Sequence, residues 1–172
     1  MPRMGSRLVS SPEIPTLGEL LDRLGGVPAE RVRFYPLPGT AMIQDVIDIH
    51  DREKRSCELV DGVLVEKASG YRESGLAGAI AAALRTFVVP NRLGYVGGES
   101  GMTQLVPDLV RGPDVSFVSR ARLPHGVPKE AYPILVPDLV VEVLSRSNTA
   151  KEMDRKRREY FAAGVRLLTS CF

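Results

Sequence analysis

Apolar residues recur at helical spacing in some stretches of the chain and in short β-branched runs in others, and the alternation between the two predicts the element order. Thr16-Leu17-Gly18-Glu19-Leu20-Leu21-Asp22-Arg23-Leu24 reads as an amphipathic helix. Thr16 is placed to cap it, Glu19 three residues on completes a capping box, and Gly25-Gly26 stops it. Residues 31–40 contain Pro36 and Pro38 and are expected to be extended or irregular. Thr40 is the expected cap of a second helix to about Asp51, burying Met42, Val46 and Ile49. Cys57-Glu58-Leu59-Val60 and Val63-Leu64-Val65-Glu66 flank Asp61-Gly62, a pair that favours a two-residue hairpin turn.

The Ala- and Leu-rich stretch from Gly70 to Val89 has helical periodicity and stops at Pro90. A Gly-rich pair of short strands is expected between Gly94 and Leu105. Two stronger strands follow, within Gly112-Pro113-Asp114-Val115-Ser116-Phe117-Val118 and Pro137-Asp138-Leu139-Val140-Val141-Glu142-Val143-Leu144-Ser145, joined by a Pro-containing loop. Asn148 or Thr149 then caps a helix to Ala163, Gly164 supplies its left-handed stop, and Val165-Arg166-Leu167-Leu168 begins another strand. The late strand–helix–strand step requires a parallel crossover, so the predicted class is α+β with a mixed sheet. Residues 1–15, rich in Ser, Pro and Arg, are expected to be a disordered tail, and residues 16–56 a helical extension before the main domain at 57–172.

Composition narrows the function classes only slightly. At 172 residues, 44% hydrophobic and 26% charged, the chain can bury a core without disulfides or metals. A formal charge of +2 permits nucleic-acid binding without arguing for it. Cys57 and Cys171 lack metal-ligand spacing and read as reduced thiols. No apolar segment follows the basic start, and the most apolar stretch, Ala77 to Val89, carries Arg85; the expectation is a cytoplasmic protein with no membrane partner.

Two carboxylates change the picture. Asp114 stands at the mouth of one strand, and Glu142 lies inside an otherwise aliphatic run, where an unpaired charge would cost several kcal/mol, of order 2–5. Strand alternation puts Val140, Glu142 and Leu144 on one face and Val141 and Val143 on the other. The ordinary explanations are a turn-forming Pro-Asp, as at Pro107-Asp108 and Pro137-Asp138, and a glutamate paired with an arginine. The basic helix after them, Lys151 to Glu159, reads by itself as a solvated face with a Glu152–Lys156 pair. Met153, Tyr160 and Phe161 are expected to face the sheet, with Lys156 at the border of that face. Together, an Asp and a Glu on neighbouring strands can hold Mg²⁺ or Mn²⁺ through oxygen ligands, and a nearby lysine can stabilise charge or orient a water.

From Cys57 to Val165 the chain resembles the Uma-two family of restriction-endonuclease-like proteins, of the PD-(D/E)XK fold. The resemblance lies in Glu58-Leu59-Val60-Asp61-Gly62, in Pro113-Asp114-Val115, in Pro137 to Ser145, and in Lys156…Tyr160…Gly164-Val165. It implies a restriction-endonuclease-like mixed sheet flanked by helices and a divalent-metal-dependent nuclease acting on phosphodiesters, with DNA as partner. Asp114 and Glu142 match the metal-binding carboxylates, the carbonyl of Val143 a third ligand, and Lys156 a lysine moved from the place of Leu144 to the following helix. Glu73 matches a further carboxylate, although Ser74 stands where relatives carry histidine, and Glu58 matches a recurrent hairpin glutamate that either supports the catalytic site or makes a turn-side ion pair. Relatives continue past Gly164-Val165 into an aromatic-rich strand ending in Asp-Pro, so the resemblance implies a C-terminal truncation with strands missing, and a homodimer as one way to pair the exposed edge. The competing reading is a non-catalytic nucleic-acid-binding or interaction module that keeps the fold with a degenerate site.

Overall fold

In the computed structural model, residues 16–68 and 70–172 are described; the expected N-terminal tail lies outside them. Two helices come first, α1 (Leu17–Arg23) and α2 (Ile43–Glu53). The hairpin β1 (Cys57–Val60) and β2 (Val63–Glu66) is next, then α3 (Tyr71–Val88) and four strands: β3 (Gly94–Gly97), β4 (Thr103–Val106), β5 (Leu109–Arg111) and β6 (Val115–Ser119). The chain ends β7 (Leu139–Val143), α4 (Ala150–Ala163) and β8 (Leu167–Cys171).

The strands divide between two sheets. One is antiparallel in the order β2-β1-β5-β4, and the other, β3-β6-β7-β8, is mixed because β8 runs parallel to β7 across the α4 crossover. The two Gly-rich strands expected as a pair, β3 and β4, therefore sit in different sheets. Strand β5 is an addition to the sequence reading, turned out of β4 through Asp108 at φ 65°.

Local chemistry explains most of the elements. Thr16 Oγ1 accepts the Glu19 backbone N–H at 3.2 Å, as a helix cap should. Thr40 does not cap α2: its hydroxyl donates to the Leu37 carbonyl, and the first free N–H, that of Met42, is taken by the Asp45 carboxylate at 2.7 Å. Met42 is accordingly exposed, while Val46 and Ile49 are buried as expected. Thr149 is the cap of α4 and accepts from Glu152 N, and Gly164 ends the helix at φ 102°.

The helices before Cys57 share their core with the hairpin and the antiparallel sheet. Val46 and Ile49 pack with Cys57, Leu59, Leu64 and Val110, while Leu20 and Leu24 pack with Val60, Val63 and Val65 on the hairpin. The mixed sheet is covered on both faces. Val141 and Val143 join Ala77 and Val88 of α3, whereas Val140 joins Tyr160 of α4, so β7 alternates between the two helices. Both cysteines are free, and burial pushes the Cys57 thiol up to about 11.

Gly62 carries the hairpin. Asp61 and Gly62 have φ of 51° and 70°, the twist of a primed turn, and the Gly62 carbonyl accepts from both Gly39 and Ala41. A Cβ at Gly62 would lie 2.6 Å from the Gly39 carbonyl carbon, whereas exposed Gly126, at φ 88°, has open space around it. Gly126→Ala is therefore expected to cost only the left-handed backbone penalty, about 1–2 kcal/mol, and Gly62→Ala about 2–4 kcal/mol because a clash is added. Urea midpoints of the two variants check the ranking.

Candidate active site at the junction of the two sheets

The antiparallel register of β6 and β7, with Val115 opposite Val141, carries Asp114 beside Glu142 and Val143. Asp114 Oδ2 accepts the Val143 N–H at 2.6 Å, while the Asp114 backbone N–H donates to the Val141 carbonyl at 3.1 Å. Glu142 lies on the α4 face of β7, as alternation predicted. There it meets α4, whose buried residues are Glu152, Lys156 and Tyr160, four apart and on one stripe. Tyr160 faces the sheet as expected, but Phe161 is about half exposed and Lys156, expected at the border of that face, is buried; polar residues fill the stripe because each finds a buried partner.

Lys156 is the centre of the cluster. Its Nζ lies 3.0 Å from Glu58 Oε1 and 3.4 Å from Glu142 Oε2, with all three side chains nearly inaccessible. Glu58, on β1 of the other sheet, also pairs with Arg111 at 2.7 Å and accepts the Gly112 N–H at 3.2 Å. Arg111 reaches on to Glu159. The Tyr160 hydroxyl donates to Glu142 Oε1 at 2.7 Å. The expected Glu152–Lys156 pair is replaced by a buried one, Arg31 to Glu152 at 2.9 Å, with Asn148 donating to the same carboxylate.

The charges shift as these contacts dictate. Burial pushes Glu58 up, but the Lys156 and Arg111 charges outweigh it and hold the carboxyl well below its usual range. Burial also pulls the Lys156 ammonium down, and Glu142 and Glu58 outweigh it, so Lys156 is held more firmly protonated. Glu142 goes the other way: burial, with Glu58 and Asp114 nearby, raises it despite Lys156 and the Tyr160 hydroxyl. The phenol of Tyr160 is raised by burial and by Glu142.

Four participants had no role in the site assigned from the sequence: Lys67, Arg111, Arg31 and Tyr160, the last expected only to face the sheet. Lys67 Nζ sits 2.8 Å from Asp114 Oδ1 and donates to the Glu99 carbonyl at 3.1 Å. Tyr160 could have been found from its i+4 spacing to Lys156, and Arg111 from the Pro107-Asp108 turn between two short apolar runs. Nothing local marks Lys67 or Arg31. Glu73 stands apart from the others, in the larger cleft between the start of α3 and the β7–α4 turn. Asp108 and Asp138 are structural, as their Pro-Asp context suggests: Asp138 accepts from Ser119 N and pairs with Arg122 at the far end of β7.

A small void of about 10 Å³ is lined by Asp114, Glu142, Val143, Lys67, Lys156 and Asn148, among others. That is room for about one water-sized particle. Among the described residues no three His, Cys, Asp or Glu side chains form a ready-made metal cage. What the void offers a cation is two carboxylates, Asp114 and Glu142, with Val143 beside them, a set that suits Mg²⁺ or Mn²⁺ when waters complete it, although Arg31, Lys67 and Lys156 line the same space. The fit has conditions. Lys67 already occupies Asp114 Oδ1 and Lys156 stands 3.4 Å from Glu142 Oε2, while the Val143 N–H and the Tyr160 hydroxyl engage the other two oxygens, so a cation there has to share or displace these partners.

Residues 43–169 match the Uma2 family, described as putative restriction endonuclease. The match begins at the first residue of α2, ahead of the segment that the motifs alone delimited. In the solved structures, a putative nuclease belonging to DUF820 from Anabaena variabilis superposes on the chain with a TM-score of 0.59, at 17% identity, covering 68% of this chain and 67% of that one. That likeness is one of fold, and it bears out the α+β, restriction-endonuclease-like class. No curated protein matches the chain. Among the described residues, no helix is long and apolar enough to cross a membrane.

Removing Lys156 leaves two buried carboxylates facing each other, whereas removing Lys67 leaves Asp114 its backbone donor. Lys156→Met is expected to cost about 3–5 kcal/mol and Lys67→Met about 1–3 kcal/mol, read by urea unfolding in EDTA; the reverse ranking would show that Lys156 is not the keystone. Glu142 gives a pH test. A carboxyl raised above its unfolded value of 4.5 contributes stability that is fully present below pH 4.5 and is lost as pH rises through the folded value. Glu58, held low, acts in the opposite window, below pH 4.5. The stability of Glu142→Gln relative to the parent should therefore rise as pH increases above about 4.5, measured by thermal melts in EDTA.

Proposed function

Because the chain belongs to the Uma2 family of putative restriction endonucleases, we propose that it is a divalent-metal-dependent nuclease that hydrolyses phosphodiester bonds, with DNA as its substrate. The observation that carries this reading is the pair of buried carboxylates, Asp114 and Glu142, that line one small void with Lys67 and Lys156, next to an open cleft. Buried ion pairs rarely improve on well-packed apolar side chains, so the cluster is weak support for a role in stability alone.

Asp114, Glu142 and the Val143 carbonyl would hold Mg²⁺ or Mn²⁺. When bound, the ion supplies Lewis-acid stabilisation of the phosphoryl oxygens and an acidified water. The chain's own residues do the remaining work. The Val143 N–H fixes the rotamer of Asp114, and the Tyr160 hydroxyl fixes that of Glu142. Lys156 offsets the charge of Glu142 and is itself held by Glu58, so its part is to position and polarise the carboxylate from behind. This reading departs from a lysine that activates water directly, because the ammonium is already engaged by two carboxylates. Glu58 belongs to the same support and stands one step further from the reaction. Lys67, once released from Asp114, is the ammonium best placed to meet a phosphate oxygen. Glu73, in the cleft, would act on the substrate side.

One observation favours a second reading. The cluster of Asp114, Glu58 and Glu142 with Lys67, Lys156 and Arg111 is balanced in charge as it stands. Such a set can serve as a purely structural junction in a nucleic-acid-binding or interaction module that does not cut.

Calorimetry with Mn²⁺ and cleavage of supercoiled plasmid separate the two. The nuclease reading expects Mn²⁺ binding by the parent, its loss in Asp114→Asn and Glu142→Gln, and a fall in cleavage of at least about a hundredfold in both, with each variant still melting cooperatively. A parent that binds no Mn²⁺ and cuts neither DNA nor RNA leaves the module as the correct description.

A further inference from the structure

We infer that the cleft beside the carboxylate void seats the phosphate backbone of the strand that is cut, with Arg72 and Arg146 each taking one phosphate. The inference rests on the nuclease reading above and adds to it the route and the cations that hold the substrate. Two overlapping hollows of about 530 and 440 Å³ share Arg72, Glu73, Ser145 and Arg146 as walls. One wall is the first turn of α3, the other the turn from β7 into α4. Val143 lines both the larger hollow and the void between Asp114 and Glu142, and Ala68 lines both that void and the smaller hollow. The cleft thus adjoins the void, with Val143 and Ala68 between them.

Like Arg85, Arg92 and Arg120, the two arginines in it stand outside the ion pairs that hold most of the described arginines. Arg31, Arg33, Arg55, Arg111, Arg122 and Arg155 each pair with a carboxylate. Arg72 and Arg146 are exposed, and among the described residues neither makes an ion pair. Glu73 stands on the same wall, but its carboxylate folds back over Gly70: a Cβ there would lie 2.1 Å from Oε2. The cleft therefore keeps two guanidinium groups facing solvent on opposite walls, next to a site rich in carboxylates. A guanidinium matches a phosphate through paired N–H donors. Two of them on facing walls suit a ligand with repeated phosphates, and a small lone anion would gain from one and meet the carboxylates behind it.

The test measures binding of a labelled DNA duplex and of the matching single strand to the full chain in EDTA, across a range of salt concentrations. Arg72→Ala and Arg146→Ala are each expected to weaken binding to every sequence alike. Each should reduce the slope of log affinity against log salt by about 0.9 on duplex, or about 0.7 on a single strand. The form showing the larger loss of affinity is the one the cleft accepts. Glu73→Gln should tighten binding. Arg85→Ala, about 20 Å further along α3 at 1.5 Å per residue, should change neither affinity nor slope. If the parent binds and cuts while the slopes of both cleft variants match the parent's, the cleft assignment is overturned and the nuclease reading stands. If the parent binds no nucleic acid at any salt concentration, either in EDTA or with Ca²⁺ in its place, both fall together.

Discussion

An ammonium buried between two carboxylates is the constraint on which the molecule turns. Lys156 reaches Glu58 on one sheet and Glu142 on the other, and it does so from the helix that crosses between β7 and β8. Each of these ions loses several kcal/mol of hydration on burial, of order 3–5, so none is tolerable without the others. Arg111, the Gly112 N–H and the Tyr160 hydroxyl take up acceptor capacity that would otherwise stay unsatisfied. The cluster therefore works as a joint: it ties two sheets and α4 together only when all of them are in place.

The same joint sets the site. Asp114 and Glu142 converge because β6 and β7 pair antiparallel in a register fixed by their apolar residues, and a one-residue slip would turn Glu142 toward α3. Arg31, before the hairpin, reaches Glu152 in the first turn of α4, and Gly25 approaches the backbone of the same residue closely. The helices before Cys57 thus help to set the position of α4, and through it Lys156. A segment that looks like an extension in sequence takes part in the geometry of the site.

Charge balance connects this joint to the proposed chemistry. Lys67 on Asp114, with Lys156 and Arg111 on Glu142 and Glu58, leaves the cluster close to neutral. A divalent cation added to it would need further negative charge or the departure of Lys67, and a phosphodiester entering along the cleft brings such charge with it. On that view metal and substrate would bind in concert.

Local chemistry written in the sequence determined a large part of this protein. The cap at Thr16, the Asp61-Gly62 hairpin, the α3 periodicity, the left-handed stop at Gly164 and the parallel crossover all depend on residues a few positions apart, and each formed as read. Asp114 and Glu142 were legible for the same reason, since a carboxylate in a short aliphatic run stands out without knowledge of its neighbours. Tertiary structure decided the division into two sheets, the burial of Lys156 instead of Phe161, and the arrival of Lys67, Arg31 and Arg111. Lys67 and Asp114 are 47 positions apart, Arg31 and Glu152 separated by 121. A surface lysine and a buried one have the same local sequence pattern, and only the position of a distant carboxylate, set by sheet register and helix packing, determines which it becomes.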